Sequence, residues 1–377
     1  MGWPLVQLVK SSSYLMEFDT DNCLNIYIEV INKEIENFLL PTFDKGVLVS
    51  TNFLTNTFTY KNIKEFILRG GKRLRPALLL NSYKAIKGKI DEQIIRVSLS
   101  VEFLHTASLV HDDLLDQDKM RRGGPTIHVL YEDHAKSLRL PKPYVSLFGT
   151  SMGILVGDLI WSLGWRAFFT SKFNNELLIK ALDLFNQTHT KIADGQIKEL
   201  DLAIKENITE AEYFETIYLK TSSLFETSCV IGGILAEGVP SQIDALKSYA
   251  SALGMAFQIK DDILGTFGDE EETKKPNDSD IKTNKKTLLV IKALEHASEN
   301  KKTFLKKVLG NPQATIKEIN LIRDIFKETG ALNYAEMKAF EFGKIAKSHL
   351  KKAKPKFRKE ALDWFNTLVD FVINRTY

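Results

Sequence analysis

The stretch 105-HTASLVHDDLLDQDKMRRGG-124 decides the fold, because an apolar helical pattern runs directly into a cluster of acidic residues. Asp112 and Asp116 are four residues apart, so on an α-helix their carboxylates share one face, about 6 Å apart along the axis. Like charges so placed repel each other, and a divalent cation relieves that repulsion. Mg²⁺ binds through one or two carboxylates together with phosphate oxygens. The stretch predicts a helix ending in a metal site, with a solvated acidic helix end as the alternative.

A second acidic cluster favours the metal explanation. Asp261 and Asp262 follow another apolar helical pattern in 257-FQIKDDILGTFGD-269, roughly 150 residues after the first cluster. If the two helices face each other, they would hold metal ions between them. Cations held in this way would bind an anion, and a diphosphate fits that description.

Basic residues supply the complementary charge in three further places: 69-RGGKRLRP-76, 120-MRRGGP-125 and 217-IYLKTSSLF-225. Lys220 lies in the middle of a helical pattern, where a buried lysine needs an anionic partner. Taken singly, the first segment could be a surface loop, and Arg121 and Arg122 could be salt-bridge partners of the aspartates. Their occurrence together with two aspartate clusters is the specific signal.

The rest of the chain predicts an all-α fold, a single large helical bundle. Apolar residues recur at spacings of three and four in the segments 24–39, 92–116, 150–169, 176–203 and 335–352. No run of alternating polar and apolar residues is long enough to predict a sheet. Of the 377 residues, 44% are hydrophobic, which is ample for a core. We expect an N-terminal extension over residues 1–20 and one catalytic domain over residues 21–377.

Charge and composition argue against nucleic-acid binding and against a transmembrane segment. The net charge is only +3, and the lysine-rich segment 350-LKKAKPKFRKE-360 has a single aromatic residue and no pattern of interleaved aromatics, so we expect a solvated face there. The apolar segment 146–169 contains Asp158 and four glycines, which favours a buried core helix over a transmembrane one. The N-terminus lacks a signal-peptide pattern, and the two cysteines have no metal-ligand spacing. We therefore expect a cytoplasmic protein.

The motifs together resemble those of the trans-isoprenyl diphosphate synthases, the polyprenyl synthetase family. The resemblance rests on GGKRLRP, DDLLDQDKMRRGGPT, the GQ at Gln196, the KT at Lys220, FQIKDD and 371-FVINRTY-377, in family order over residues 24–377. It implies the isoprenoid synthase fold, an all-α bundle around a central cavity, in a homodimer. Its members condense isopentenyl diphosphate with an allylic diphosphate and require Mg²⁺.

The resemblance also implies roles for individual residues. Mg²⁺ would bind to Asp112, Asp116 and Asp261, which with Lys220 form the catalytic set. The allylic diphosphate would contact Arg121, Lys220, Thr221, Gln258, Lys275 and Lys285. Isopentenyl diphosphate would contact Gly71, Lys72, Arg75, His105 and Arg122. Taken by itself, His105 would read as a core histidine with a satisfied hydrogen bond.

The reaction that the resemblance implies is ionisation of the allylic C–O bond, attack by the double bond of isopentenyl diphosphate, and loss of a proton to the released diphosphate. Several positions depart from the family pattern: Glu199, Lys260, Gly265 and Lys274. These departures affect the positioning of groups and leave the reaction class unchanged.

Small residues precede the first aspartate cluster. Ser108 and Ala107 lie one turn or slightly more before Asp112, and in this family bulky aromatics at these positions stop chain growth at fifteen or twenty carbons. We therefore expect a product of twenty or more carbons, with Leu104 as a further chain-length residue. Replacement of Ala107 by phenylalanine should shorten it. Helix packing that requires small side chains is the alternative explanation.

Two other functions compete with a linear prenyltransferase. A class I terpene cyclase also uses an aspartate-rich helix, but it has no need for the second diphosphate site that GGKRLRP and Arg122 suggest. A non-catalytic subunit of a heteromeric prenyl synthase usually loses its metal-binding aspartates, and here both clusters are present. The sequence therefore favours the active prenyltransferase.

Overall fold

The computed structural model describes residues 20–44, 54–268 and 277–375. These residues are almost entirely helical, and their strands are limited to one short antiparallel hairpin, Met120–Arg121 (β1) with Gly124–Pro125 (β2). The prediction of an all-α fold is confirmed. The predicted N-terminal extension lies outside the described residues except for Thr20, so the domain boundary at residue 21 stays a prediction.

The helices follow one another with short connections. Those of the first half are α1 (Thr20–Asp44), α2 (Leu54–Leu68), α3 (Leu74–Lys87), α4 (Glu92–Leu115), α5 (Ile127–Ser137), α6 (Lys142–Phe169) and α7 (Asn175–Ile204). The second half has α8 (Glu210–Ile217), a π-helical turn (Tyr218–Ser222), α9 (Ser223–Leu235), α10 (Pro240–Phe267), α11 (Ser279–Lys282), α12 (Leu288–His296), α13 (Glu299–Val308), α14 (Ile316–Glu328), α15 (Ala331–Leu350) and α16 (Lys359–Asn374). The five predicted helical segments correspond to α1, α4, α6, α7 and α15.

The chain divides into two compact units. The first runs to Phe185 and also includes Ile231–Gly238, and the second contains Asn186–Val230 and the chain from Val239 onwards. At the centre of the first unit is α4. Its N-cap residue Asp91 accepts hydrogen bonds from the backbone N–H groups of the first turn, which satisfies donors that a helix leaves unpaired.

Helix α6 packs closely against α4 because glycines face it. A Cβ atom on Gly157 would lie 2.1 Å from Nε2 of His111, and one on Gly153 would lie 2.8 Å from Cδ1 of Leu114. The α4 side chains therefore fill notches that only glycine leaves open.

The outer face of α6 is apolar and exposed. Leu147, Leu155 and Phe169 are 62%, 54% and 70% exposed. Within the described residues α6 alone has the length and composition to cross a membrane, which is weak evidence by itself, and 33% of its most apolar window is buried. The expectation of a buried core helix holds for the face on α4 and is wrong for the outer face.

The second unit is built on α10, which packs against α15. Its core includes Met255, Ile259 and Ile263 of α10 together with Ala335 and Ala339 of α15. Alanines on α15 let the two helices approach closely. The packing fixes the last turns of α10, where Asp261 and Asp262 lie.

Candidate active site

One face of α4 carries the predicted site residues of the first unit. Asp116 is exposed and Asp112, Ser108 and His105 are partly exposed, at spacings of three and four residues. This spacing places all four side chains along one stripe of the helix. The stripe joins the predicted metal ligands to the predicted substrate ligand His105, as the sequence indicated.

Asp113, next to Asp112, has a different environment. It is fully buried and pairs with the guanidinium of Arg121, while its Oδ2 has no hydrogen-bond partner among the described residues. Burial raises the pKa of Asp113 to about 7, although the charge of Arg121 opposes that shift. Arg121 also lies 3.4 Å from Oδ2 of Asp118. The salt-bridge role considered for Arg121 is therefore present, and its contact with a diphosphate stays a prediction.

The residues predicted for isopentenyl diphosphate form a cluster in the first unit. Gly71 has φ +119°, and a Cβ atom there would lie 3.0 Å from Cζ of Arg122. Nη1 of Arg122 donates to the carbonyl of Gly70 at 2.6 Å. Burial lowers the pKa of His105 well below its usual value, and the positive charges of Arg75 and Arg122 lower it further. His105 is therefore neutral at pH 7 and lies within the field of these arginines.

Arg73 belongs to the same motif as Lys72 and Arg75 but is buried in a structural network. It is 2% exposed, it forms an ion pair with Glu102, and Nη2 donates to the carbonyl of Ile67 at 2.6 Å. Its backbone has φ 49°, in the left-handed region, at the N-cap of α3. Arg73 therefore fixes the turn, whereas Lys72 and Arg75 are partly exposed.

Sequence reasoning missed Arg69. Its Nη1 donates to the carbonyls of Arg121 and Pro125 at 3.1 and 2.7 Å, and Glu65 binds its other nitrogens. Arg69 thus joins the GGKRLRP turn to the hairpin that carries Arg121 and Arg122. Its position directly before the two glycines was the available signal.

In the second unit, three predicted ligands of the allylic diphosphate are linked through Asp262. Oγ1 of Thr221 donates to Gln258 at 2.7 Å, and Nε2 of Gln258 and Nζ of Lys285 each donate to Oδ1 of Asp262 at 3.0 Å. Tyr213 donates its hydroxyl to Oδ2 at 2.7 Å. Burial by itself would lower the pKa of Lys285, but the negative charge of Asp262 outweighs burial and raises this pKa well above its usual value. Lys285 is therefore a fixed cation.

Lys220 has the anionic partner that its sequence position required. It forms an ion pair with Glu199, the acidic residue at a position where this chain departs from the family pattern. Burial by itself would raise the pKa of Glu199, but the positive charge of Lys220 outweighs burial and lowers this pKa below its usual value. Lys220 and Thr221 lie on the π-helical turn, and a Cβ atom on Gly195 would lie 2.5 Å from the backbone nitrogen of Lys220. A bulge of this kind redirects side chains within a helix.

Asp261 is partly exposed and pairs with Nη2 of Arg375 at 2.5 Å. Lys275 and Lys274 lie outside the described residues. No group of three or more potential metal ligands occurs within the described ranges. Two accessible carboxylates on one face of α4 fit a hard cation that takes its other ligands from water and substrate phosphates, which is the coordination that Mg²⁺ prefers.

The predicted chain-length residues differ in their environments. Ser108 is partly exposed on the stripe, whereas Ala107 and Leu104 are 3% and 1% exposed. Ala107 shares a helix face with His111, which packs into the notch at Gly157 of α6. Small size at Ala107 therefore also serves helix packing, the alternative considered for it.

Comparison with known proteins identifies the family. The polyprenyl synthetase family model matches residues 56–326. The short chain isoprenyl diphosphate synthase of Methanothermobacter thermautotrophicus is 34% identical over 89% of this chain and 95% of its own. The geranylgeranyl diphosphate synthase of Sulfolobus acidocaldarius is 34% identical over 86% of this chain and 90% of its own.

The fold matches solved structures too. The geranylgeranyl pyrophosphate synthase of Corynebacterium glutamicum, solved with isoprenyl diphosphate and magnesium, aligns with a TM-score of 0.87 and 26% identity, over 93% of this chain and 99% of its own. The resemblance found in the motifs and the predicted isoprenoid synthase fold are confirmed. This chain is a trans-prenyltransferase and belongs to the polyprenyl synthetase family.

Proposed function

We propose that this protein condenses isopentenyl diphosphate with an allylic diphosphate to give a linear trans-polyprenyl diphosphate of twenty or more carbons. The observation that carries the proposal is the accessible stripe of α4, which leads from Asp112 and Asp116 to His105 and the arginines around it. Relatives named geranylgeranyl diphosphate synthase agree with this length. We place the reaction in the cytoplasm.

We assign three binding roles to the charged groups of the two units. Asp112, Asp116 and Asp261 would hold Mg²⁺, whose charge stabilises the leaving diphosphate when it is bound. Lys220, Thr221, Gln258 and Lys285 bind the allylic diphosphate, with Arg121 and Lys275 as further proposed contacts. Gly71, Lys72, Arg75, His105 and Arg122 bind isopentenyl diphosphate.

The chain contributes mainly fixed positive charge and orientation. Lys220 and Lys285 are held by Glu199 and Asp262, so they need little reorganisation as negative charge develops on the departing diphosphate. Neutral His105 donates a hydrogen bond without adding charge. Binding of both substrates to one protein turns a bimolecular attack into an effectively intramolecular one. The released diphosphate takes the proton.

The test of this function is incubation of the purified protein with labelled isopentenyl diphosphate, an allylic starter and Mg²⁺. We expect chain elongation and a labelled linear product of at least twenty carbons by mass. Elongation that appears only after a second polypeptide is added would instead support the non-catalytic subunit. A cyclic hydrocarbon made from the allylic diphosphate alone would support a terpene cyclase. A cyclase needs no second diphosphate site, so the basic residues around Arg122 would then have no role in catalysis.

Replacement of Ser108 by phenylalanine should shorten the product to about fifteen carbons, because the ring would project along the accessible stripe where we place the growing chain. That Ala107→Phe shortens the product stays a prediction. Because Ala107 is buried, the introduced phenylalanine ring should also lower the free energy of unfolding by about 1–3 kcal/mol. Product length is measured by mass spectrometry. Ser108→Ala is the matched control and should retain the wild-type product. A wild-type length in Ser108→Phe would contradict this chain path.

We propose that a second copy of this chain covers the outer face of α6, giving a homodimer. The support is the exposed apolar row Leu147, Ile154 and Leu155, which a soluble protein normally covers. In analytical ultracentrifugation the wild type should sediment as a dimer and the Leu147→Glu/Leu155→Glu variant as a monomer. Ile316→Glu, at a residue of α14 that is 62% exposed, is the control and should remain dimeric. A monomeric wild type would contradict the proposal.

A further inference from the structure

The segment from Phe342 to Lys359 concentrates positive charge. It contains eight lysine and arginine residues and no acidic one, although the whole chain has a net charge of only +3. The remainder of the chain is therefore net acidic. A charge separation of this size creates a local positive field that the overall charge does not reveal.

The basic side chains of the connection between α15 and α16 point away from the protein. The five of the connection and Lys359, the first residue of α16, are exposed and form no ion pair with another described residue: Lys351, Lys352, Lys354, Lys356, Arg358 and Lys359. By contrast, Lys347 earlier in the segment pairs with Asp370 at 2.6 Å. The six charges thus repel one another, and none of them forms an ion pair within the described ranges, although Glu360 follows Lys359 directly in the sequence.

The connection holds these charges in place. Ala353 and Phe357 are 1% and 5% exposed and anchor it to the core. The backbone nitrogen of Lys354 donates to Oγ of Ser241 at 3.1 Å, and Nε2 of Gln242 donates to the carbonyl of Pro355 at 3.2 Å. Alternation of buried anchors with exposed lysines makes the segment a fixed basic platform.

Exposed apolar side chains precede the platform on α15. Met337, Phe340 and Ile345 are 45%, 48% and 43% exposed, and Nζ of Lys344 lies 4.4 Å from the centre of the Phe340 ring. Two exposed acidic residues of α15 lie near these side chains: Glu341, which is paired with Lys338 at 3.0 Å, and Glu336, which directly precedes Met337. Large apolar groups beside clustered lysines characterise surfaces that lie on anionic lipid headgroups.

We propose that the basic platform and the adjoining face of α15 dock this protein peripherally on an anionic membrane surface. A single-stranded nucleic acid would also match the charge, but the solvent-facing groups of the platform are lysines and one arginine without aromatic rings on which bases could stack. The choice of a lipid partner also rests on the proposed function, because a prenyl chain of twenty carbons has to leave water for a bilayer. Contact with a membrane would shorten that transfer.

The test is co-sedimentation of the full chain with vesicles, without substrate or metal. We expect binding to phosphatidylcholine vesicles that contain phosphatidylserine, at least about tenfold weaker binding to phosphatidylcholine alone, and release at high salt. The variant Lys351→Gln/Lys352→Gln/Lys354→Gln/Lys356→Gln should lower the partition coefficient at least about a hundredfold. Phe340→Ser should lower it about fivefold.

The matched control removes the same charge elsewhere in Lys89→Gln/Lys306→Gln/Lys307→Gln/Lys317→Gln, all at exposed positions, and should bind vesicles almost as the wild type does. Equal losses in the two fourfold variants would reduce the effect to net charge and overturn the proposal. So would binding of single-stranded RNA, measured by fluorescence anisotropy, by a chain that does not bind anionic vesicles. Elongation of soluble substrates, measured separately, tests the proposed function and should be the same in both variants.

Discussion

Replacement of Asp112 by asparagine is expected to lower kcat/KM for elongation by about a thousandfold or more, a loss typical of removing one strong stabilising group from a transition state. Asparagine keeps the size of the side chain and removes the negative charge that a hard cation requires. Asp112 is partly exposed on the stripe of α4, so its substitution leaves the core unchanged. The measurement is the single-turnover rate at a series of Mg²⁺ concentrations.

The Asp112→Asn variant should also need a higher Mg²⁺ concentration for half-maximal rate, because one carboxylate of the pair is gone. Its melting temperature without metal should equal or exceed that of the wild type, since the repulsion between Asp112 and Asp116 is relieved. Asp133→Asn is the control: Asp133 is exposed, pairs with Lys136 and lies on α5. A rate within tenfold of the wild type in Asp112→Asn would contradict the metal assignment.

The helical fold was predictable because its signals are local. The apolar spacing within α4, α7 and α15 is contained in each segment, and the hydrophobic effect makes that spacing the main determinant of a helix. The exposed outer face of α6 was not predictable in the same way. An apolar residue there looks the same whether it is covered by this chain or by a second copy.

The site shows a sharper limit. Three charged doublets in the sequence have one accessible member and one buried member: Asp112 and Asp113, Asp261 and Asp262, Lys72 and Arg73. In the two aspartate doublets, consecutive residues on the helix point about 100° apart, so only one of the two neighbours faces the site. Lys72 and Arg73 precede α3, and there the left-handed backbone of Arg73 turns the two side chains apart. The other member is held by an ion-pair partner on another segment, such as Arg121 for Asp113 and Lys285 for Asp262. The doublet itself can be recognised in the sequence. Which of its two members is structural can be decided only from the ion-pair partner that the fold brings next to it.

The pair of Arg73 and Glu102 gives the second large expected effect. Substitution of Glu102 by glutamine should lower the free energy of unfolding by about 3–5 kcal/mol, because it leaves the guanidinium of Arg73 as an uncompensated buried charge. The two side chains are 0% and 2% exposed, so water cannot replace the lost partner. Urea denaturation followed by circular dichroism measures the change.

An ion pair on the surface serves as a control that distinguishes the effect of burial on stability from the effect of losing a charge. Glu176 pairs with Lys180 at 2.7 Å with both side chains exposed, so Glu176→Gln should leave the free energy of unfolding nearly unchanged. A double variant, Arg73→Met/Glu102→Leu, should be more stable than Glu102→Gln, since it removes both charges from the core. A loss below about 1 kcal/mol in Glu102→Gln would show that the buried pair does not stabilise the fold.

The same substitution should affect substrate binding through the turn that Arg73 holds. Arg73 fixes the N-cap of α3 directly beside Gly71 and Lys72, where we place isopentenyl diphosphate. Glu102→Gln should therefore raise KM for isopentenyl diphosphate severalfold while KM for the allylic substrate stays within twofold. An equal rise in both constants would mean that the substitution loosens the whole protein and that the turn has no separate role. The buried arginine of GGKRLRP thus serves the binding site by fixing the turn from which its exposed neighbours reach the substrate.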